Sequence, residues 1–205
     1  MIQIAIMGLG TVGTGVAKVV AENAKQIERK LGEPLQVKTI LVRHFQDGPY
    51  RQLMTDDFKR IEEDDSIRVV VEPSGGVEAA YEYTRRALNA GKHVVTANKQ
   101  LVAEKGSELL ALARKKNVNY LFEASVGGGI PILRPLNQCL AANELTEIAG
   151  ILNGTVNPSG HLTDTYAANS LSAPSVVNGS FNNQNWTNLD EVLAALEDED
   201  SGISW

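Results

Sequence analysis

One cysteine, three histidines and no long apolar run occur among the 205 residues, and each shortage removes a class of function. Cys139 has no second cysteine to pair with, so no internal disulfide staples the fold, which fits a reducing cytoplasm. With no histidine close to it in sequence, it reads as a small apolar residue on a helix face rather than a nucleophile. His44, His93 and His161 are scattered without metal-ligand spacing, which sets zinc chemistry aside. No stretch approaches the roughly 20 apolar residues that span a bilayer, and the chain opens directly into a strand instead of a charged leader, so no membrane role is expected. Basic residues are outnumbered, 19 Lys and Arg against 25 Asp and Glu, and the net charge of −6 argues against nucleic acid. The 43% hydrophobic content suffices for one good core and a small second unit.

What is present is concentrated at the amino terminus. Ile2-Gln3-Ile4-Ala5-Ile6-Met7 reads as a strand, and Gly8-Leu9-Gly10-Thr11-Val12-Gly13 follows it as a Gly-x-Gly-x-x-Gly turn opening a helix. Gly8 permits the tight turn, Gly10 lets the backbone approach a pyrophosphate without a Cβ in the way, and Gly13 lets the helix pack close to the sheet. The exposed N–H groups of Leu9, Thr11 and Val12 and the positive end of the helix then face an anion. A glycine turn with a purely structural role is the competing reading. The apolar spacing of Val12, Val16, Val19, Val20, Ile27 and Leu31 supplies the helix that a dinucleotide site requires.

Strand and helix alternate along the rest. Val37 to Val42 reads as a second strand, Val69 to Glu72 as a third ended by Pro73-Ser74-Gly75-Gly76, and Val77 to Ala90 as a helix closed by Gly91. His93 to Ala97 makes a fourth strand, Ser107 to Lys116 a helix and Val118 to Ala124 a fifth strand. Pro131 stands where a helix would start, and Leu145 to Leu152 looks like a sixth strand. Continuous β-branched runs separated by helices predict an α/β fold, a doubly wound parallel sheet of about six strands covered on both faces.

Four blocks, in this order and spacing, resemble the nucleotide-binding half of homoserine dehydrogenase: Gly8 to Gly13, Gly91 to Lys99, Phe122 to Pro131 and Gly150 to Asn157. The resemblance covers residues 1 to about 157 and implies a Rossmann domain that binds NADP or NAD and transfers hydride between aspartate semialdehyde and homoserine. The resemblance also implies a homo-oligomer, since the family's second domain carries most of its dimer interface.

The carboxyl ends of parallel strands face the ligand crevice, so Ser74 and Gly75, Thr96 and Lys99, and the Ala124-to-Gly127 turn are expected to converge on the nicotinamide. Lys99 is the candidate catalytic residue: a lysine here can hold the substrate oxygen and offset the negative charge that develops on it. A solvated surface lysine is its alternative reading. Three glycines free the backbone after Val126 to turn carbonyls inward. The resemblance implies a monovalent cation such as sodium at Glu123, Val126, Gly128 and Ile130, mostly through main-chain oxygens; a glycine-rich turn that admits a close helix explains the same residues. No acid closes the second strand to bond a ribose 2′-OH, and Arg43 stands there instead, able to pair with a 2′-phosphate through its planar fork, which favours NADP over NAD; an exposed surface arginine is its alternative reading, and Asp47 is close enough to leave the choice of cofactor open.

After Asn157 the pattern stops. No lysine or arginine occurs beyond Lys116 except Arg134, so the further catalytic lysine that the family carries in its second domain has no counterpart. Residues 158–205 read as an irregular, acidic, Ser/Asn-rich tail with one amphipathic helix at about 188–198, where Leu189, Val192, Leu193 and Leu196 recur at helical spacing behind Asp190 and Glu191. The chain is therefore expected to be a dinucleotide domain at 1–157 with a divergent tail, and a cofactor-binding module without turnover of its own stands as the alternative to a complete enzyme.

Overall fold

The computed structural model describes residues 1–126 and 129–142, and the backbone of four short strands further along. Met1–Phe122 forms one compact unit, and the described residues from Glu123 onward belong to a second.

The first unit is a six-stranded sheet. Its strands are β1 (Ile2–Met7), β2 (Leu35–Leu41), β3 (Met54–Thr55), β4 (Ile67–Glu72), β5 (His93–Thr96) and β6 (Tyr120–Leu121), in the order β3-β2-β1-β4-β5-β6 with every pairing parallel. This is the doubly wound parallel sheet read from the sequence. The apolar runs have the expected cause: Ile4, Ala5, Ile6 and Met7 are all buried, because a central parallel strand is covered on both faces.

Helices α1 (Thr11–Glu22), α2 (Ala24–Leu31), α3 (Lys59–Glu62), α4 (Glu78–Asn89) and α5 (Lys99–Lys116) connect the strands. Ala80, Thr84, Ala87 and Leu88 of α4 are buried at the i, i+4, i+7, i+8 spacing of one helix face, and α5 buries Leu101, Val102, Leu109, Leu110 and Ala113. Asn117, at φ 54°, takes the left-handed conformation that ends α5, behind the dipole-favoured Arg114, Lys115 and Lys116.

Three expectations change. The first helix breaks at Asn23, whose N–H bonds the Val19 carbonyl, and α2 buries none of its residues. Val12, Val19 and Leu31 are about half exposed, whereas Val20 faces the core as expected, together with Ala17. Helix α5 begins at Lys99 rather than near Ser107, because Asn98 caps it. The sixth strand of this sheet is Met54–Thr55 at the edge, bonded to β2; the expected strand at Leu145 to Leu152 lies outside the described residues, as does the helix at 188–198.

In the second unit, Glu123 accepts the N–H groups of Ile132, Leu133 and Arg134 at 2.5, 2.9 and 2.8 Å, and a π-helical turn follows at Pro135–Cys139. A carboxylate on the first free N–H groups caps the helical start expected after Pro131. Cys139 ends the π-helical turn and is exposed. Two short antiparallel ladders occur further along: β7 (Thr155–Val156), in the Gly150-to-Asn157 block, with β8 (Leu162–Thr163), and β9 (Val177–Phe181) with β10 (Gln184–Trp186), the last three within the stretch read as irregular. No helix among the described residues is long and apolar enough to cross a membrane.

Candidate functional site

Because all six strands run the same way, their carboxyl ends share one edge of the sheet, and the direction of winding changes between β1 and β4. Ligands of such folds sit outside that edge at the point of change. The residues arriving there are Gly8 after β1, Arg43 after β2, Ser74 and Gly75 after β4, and Thr96 through Lys99 at the end of β5.

The glycine turn has a separate reason for each residue. Gly8 sits at φ +107°, a conformation that side chains rarely adopt, and its N–H continues the ladder to the Leu41 carbonyl at 2.8 Å. A Cβ on Gly13 would drive into the Gly8 carbonyl oxygen and lie within 3.3 Å of Ile6 Cγ2, so only glycine lets α1 pack this close to β1. Gly10 caps the helix in extended backbone, and a Cβ there would meet nothing within 4 Å. That open space lies over the first turn of α1, whose N–H groups have no partner inside the helix. Thr14 closes the turn through its hydroxyl to the Leu9 carbonyl at 3.3 Å. Open space at Gly10 beside the first N–H groups of a helix is the arrangement that accepts an anion such as a pyrophosphate.

The second half of the edge is held by hydrogen bonds that sequence reasoning missed. Glu72, the last residue of β4, is fully buried and lies opposite Thr96 in register. It accepts the Ser74 N–H at 2.9 Å, the Ser74 hydroxyl, and the Thr96 hydroxyl at 2.6 Å. Thr96 Oγ1 in turn accepts the Asn98 N–H at 2.9 Å. Asn98 spans both turns: its Nδ2 donates to the Gly76 carbonyl at 2.6 Å, and its Oδ1 accepts the Leu101 N–H at 3.0 Å, capping α5. Burial, and the Glu72 charge beside it, hold the phenol of buried Tyr120 well above its usual range, so that it stays protonated. A lone acid closing a Val-Val-Val run was the one available signal for Glu72.

Lys99 is half-buried and opens α5. A cation at the positive end of a helix costs about 0.3–1 kcal/mol, so helix stability does not account for a lysine there. Lys92, from the same motif, behaves differently: it is buried at the opposite edge and donates to the carbonyls of Asp64 and Ile67 at 2.8 and 3.1 Å. It is structural. Arg43 is exposed beyond β2, beside a loop in which the Arg51 guanidinium lies over the Phe45 ring at 4.4 Å. Of the residues read as a cation cradle, Val126 is half-buried, Ile130 is exposed, and Gly128 lies outside the described residues. The Glu123 carbonyl accepts the Val126 N–H at 3.1 Å. No cluster of three or more His, Cys, Asp or Glu side chains able to hold a metal occurs among the described residues.

A family model described as homoserine dehydrogenase, NAD binding domain, matches residues 8–123, more than half of the chain. The chain belongs to the homoserine dehydrogenase family. It is 43% identical over 161 residues to the homoserine dehydrogenase of Bacillus subtilis, and 44% identical over 160 residues to that of Neisseria gonorrhoeae. Each match covers 76% of this chain and 37% of the relative, so the chain spans a little over a third of the length of these curated homoserine dehydrogenases. Among solved structures, a homoserine dehydrogenase from Thiobacillus denitrificans superposes with a TM-score of 0.69 at 42% identity, covering 75% of this chain and 36% of that one. A hyperthermophilic archaeal homoserine dehydrogenase in complex with NADPH superposes at 0.56 and 28% identity, covering 66% and 47%.

Proposed function

We propose that the sheet edge is a nicotinamide-cofactor site that serves hydride transfer between aspartate semialdehyde and homoserine. The observation that carries this is the convergence, in a member of the homoserine dehydrogenase family, of a Cβ-free glycine cradle with the turns that bear Ser74, Gly75, Thr96 and Lys99. Gly8, Leu9, Gly10, Thr11, Val12 and Gly13 receive the pyrophosphate through backbone N–H groups. Arg43 takes the adenosine ribose, and its fork favours the 2′-phosphate of NADP over NAD; the NADPH in the archaeal relative is in keeping with this choice. When bound, the cofactor supplies the hydride. Lys99 donates to the aldehyde oxygen and offsets the charge that grows on it as the carbonyl is reduced. A monovalent cation is assigned to Glu123, Val126, Gly128 and Ile130, mostly through main-chain carbonyls, in keeping with a Glu123 carboxylate that already accepts three backbone N–H groups.

The chain's length favours a second reading, a cofactor-binding domain that turns over nothing by itself, since its match covers only 37% of the relative's length. One experiment addresses both. NADPH oxidation on adding aspartate semialdehyde is expected for an active chain, and Lys99→Ala should then lower kcat by about 10²–10³. Retained activity in Lys99→Ala removes the role assigned to that lysine. Binding of NADPH with no turnover selects the second reading.

A further inference from the structure

We propose that Glu72 is a positioning residue that locks the Ser74–Gly76 turn and the Asn98–Lys99 segment into one cofactor-competent arrangement; this rests on the reading of the crevice as a nicotinamide site. Glu72 is fully buried at the end of β4. Its side-chain hydrogen bonds are to the Ser74 N–H and hydroxyl on Oε1 and the Thr96 hydroxyl on Oε2. A carboxylate accepts on both oxygens without needing a donor in return, which is what this geometry demands. A buried charge is tolerated only while its donors stay in place. Displacing either turn would strip it of one, so the two turns, carried on different strands, are coupled through a single side chain. The main chain reinforces the link, as the Ala97 N–H donates to the Glu72 carbonyl at 3.0 Å. Thr96 passes the constraint to Asn98, and Asn98 returns it to Gly76 and to the first turn of α5, where Lys99 stands. A site whose turns are held before the ligand arrives loses less freedom on binding.

The predicted consequence is selective. The adenosine end of the cofactor lies toward Gly8–Gly13 and Arg43, away from this network, while the nicotinamide end faces it. In Glu72→Gln an amide NH₂ must stand where a carboxylate oxygen now receives donors, and in Ser74→Ala and Thr96→Val single donors disappear. Each variant is titrated by calorimetry with NADPH and with 2′,5′-ADP, which lacks the nicotinamide half, alongside the unsubstituted chain. The expected result is NADPH binding weakened about tenfold in Glu72→Gln with 2′,5′-ADP binding unchanged, and a similar split in Ser74→Ala, which keeps the assay decisive if Glu72→Gln does not fold. Unchanged NADPH affinity in the variants overturns the proposal. Equal loss of both ligands also overturns it, since that marks general loss of structure. If the unsubstituted chain binds neither compound, the cofactor reading itself fails, and the positioning role falls with it.

Discussion

Replacing Gly10, Gly13 and Gly15 by alanine, one at a time, should separate ligand binding from folding within one stretch of chain. A Cβ on Gly13 would overlap the Gly8 carbonyl oxygen and crowd Gly8 C at 3.1 Å and Ile6 Cγ2 at 3.3 Å. The first of these is backbone, so α1 must retreat from β1 by roughly 1 Å to restore contact distance. Overpacking of this kind costs about 1–3 kcal/mol, about 2 for a contact to backbone as close as this, and alanine's better helix propensity returns up to about 1 kcal/mol, leaving a net loss of about 1–2 kcal/mol. For a chain of this size that lowers the thermal midpoint by roughly 2–8 °C. Gly15 is exposed inside α1 with nothing within 4 Å of its would-be Cβ, so Gly15→Ala should gain about 0.5–1 kcal/mol and raise the midpoint. Gly10 also faces open space, in a cap conformation that alanine can adopt as a poorer cap, at a cost of about 0.5–1 kcal/mol. Its Cβ would occupy the space a pyrophosphate needs, so Gly10→Ala should weaken NADPH by tenfold or more, about 1.4 kcal/mol, while the protein stays folded. Circular dichroism melts paired with calorimetric titration read both quantities. A Gly10→Ala protein that binds NADPH as tightly as the parent refutes the cradle, and a Gly13→Ala protein with an unchanged midpoint refutes the close packing of α1 on β1.

Two further outcomes follow from the hydrogen-bond geometry. Asn98→Ala removes both the cap on α5 and the strap to Gly76, and should cost about 1–2 kcal/mol in urea unfolding; Asn98→Asp keeps the cap and should recover about half of it. Asp64 is drawn down to about 2 by hydrogen bonds from Lys38 and then Ser66, Lys38 Nζ lying 2.6 Å from Oδ2. Its folded value lies below its unfolded one, so its stabilisation is complete above about pH 4 and is lost as pH falls toward 2. After allowance for partial exposure that amounts to about 1 kcal/mol, so Asp64→Asn should be less stable than the parent at pH 7 and no longer distinguishable from it near pH 2 in denaturant titrations.

The parts legible in the sequence are those where geometry restricts residue type. Gly8 and Gly13 answer different steric demands, and the parallel, twice-covered sheet follows from continuous apolar runs that only such a sheet would bury. Met54–Thr55 escaped notice because two residues at an edge carry no period. The break at Asn23 escaped because Ile27 and Leu31 continue the apolar spacing of α1 although α2 buries nothing. Helix α5 starts eight residues before its expected Ser107, its boundary being set by the Asn98 cap rather than by hydrophobic rhythm. At the site, Ser74, Thr96 and Lys99 could be gathered from topology alone, since parallel strands bring their ends to one edge. Glu72 could not: its partners come from two turns, and the pairing of β4 with β5 that unites them is not written in either segment by itself.

The most direct test of a nicotinamide-cofactor fold in this chain is a calorimetric titration with NADPH and, separately, NADH. Saturable binding of one molecule per chain is expected, tighter for NADPH than for NADH because Arg43 stands where an acid would otherwise select NAD. Failure of both cofactors to bind at any attainable concentration would contradict the reading of the Gly8–Gly13 turn, and with it the site built around that turn.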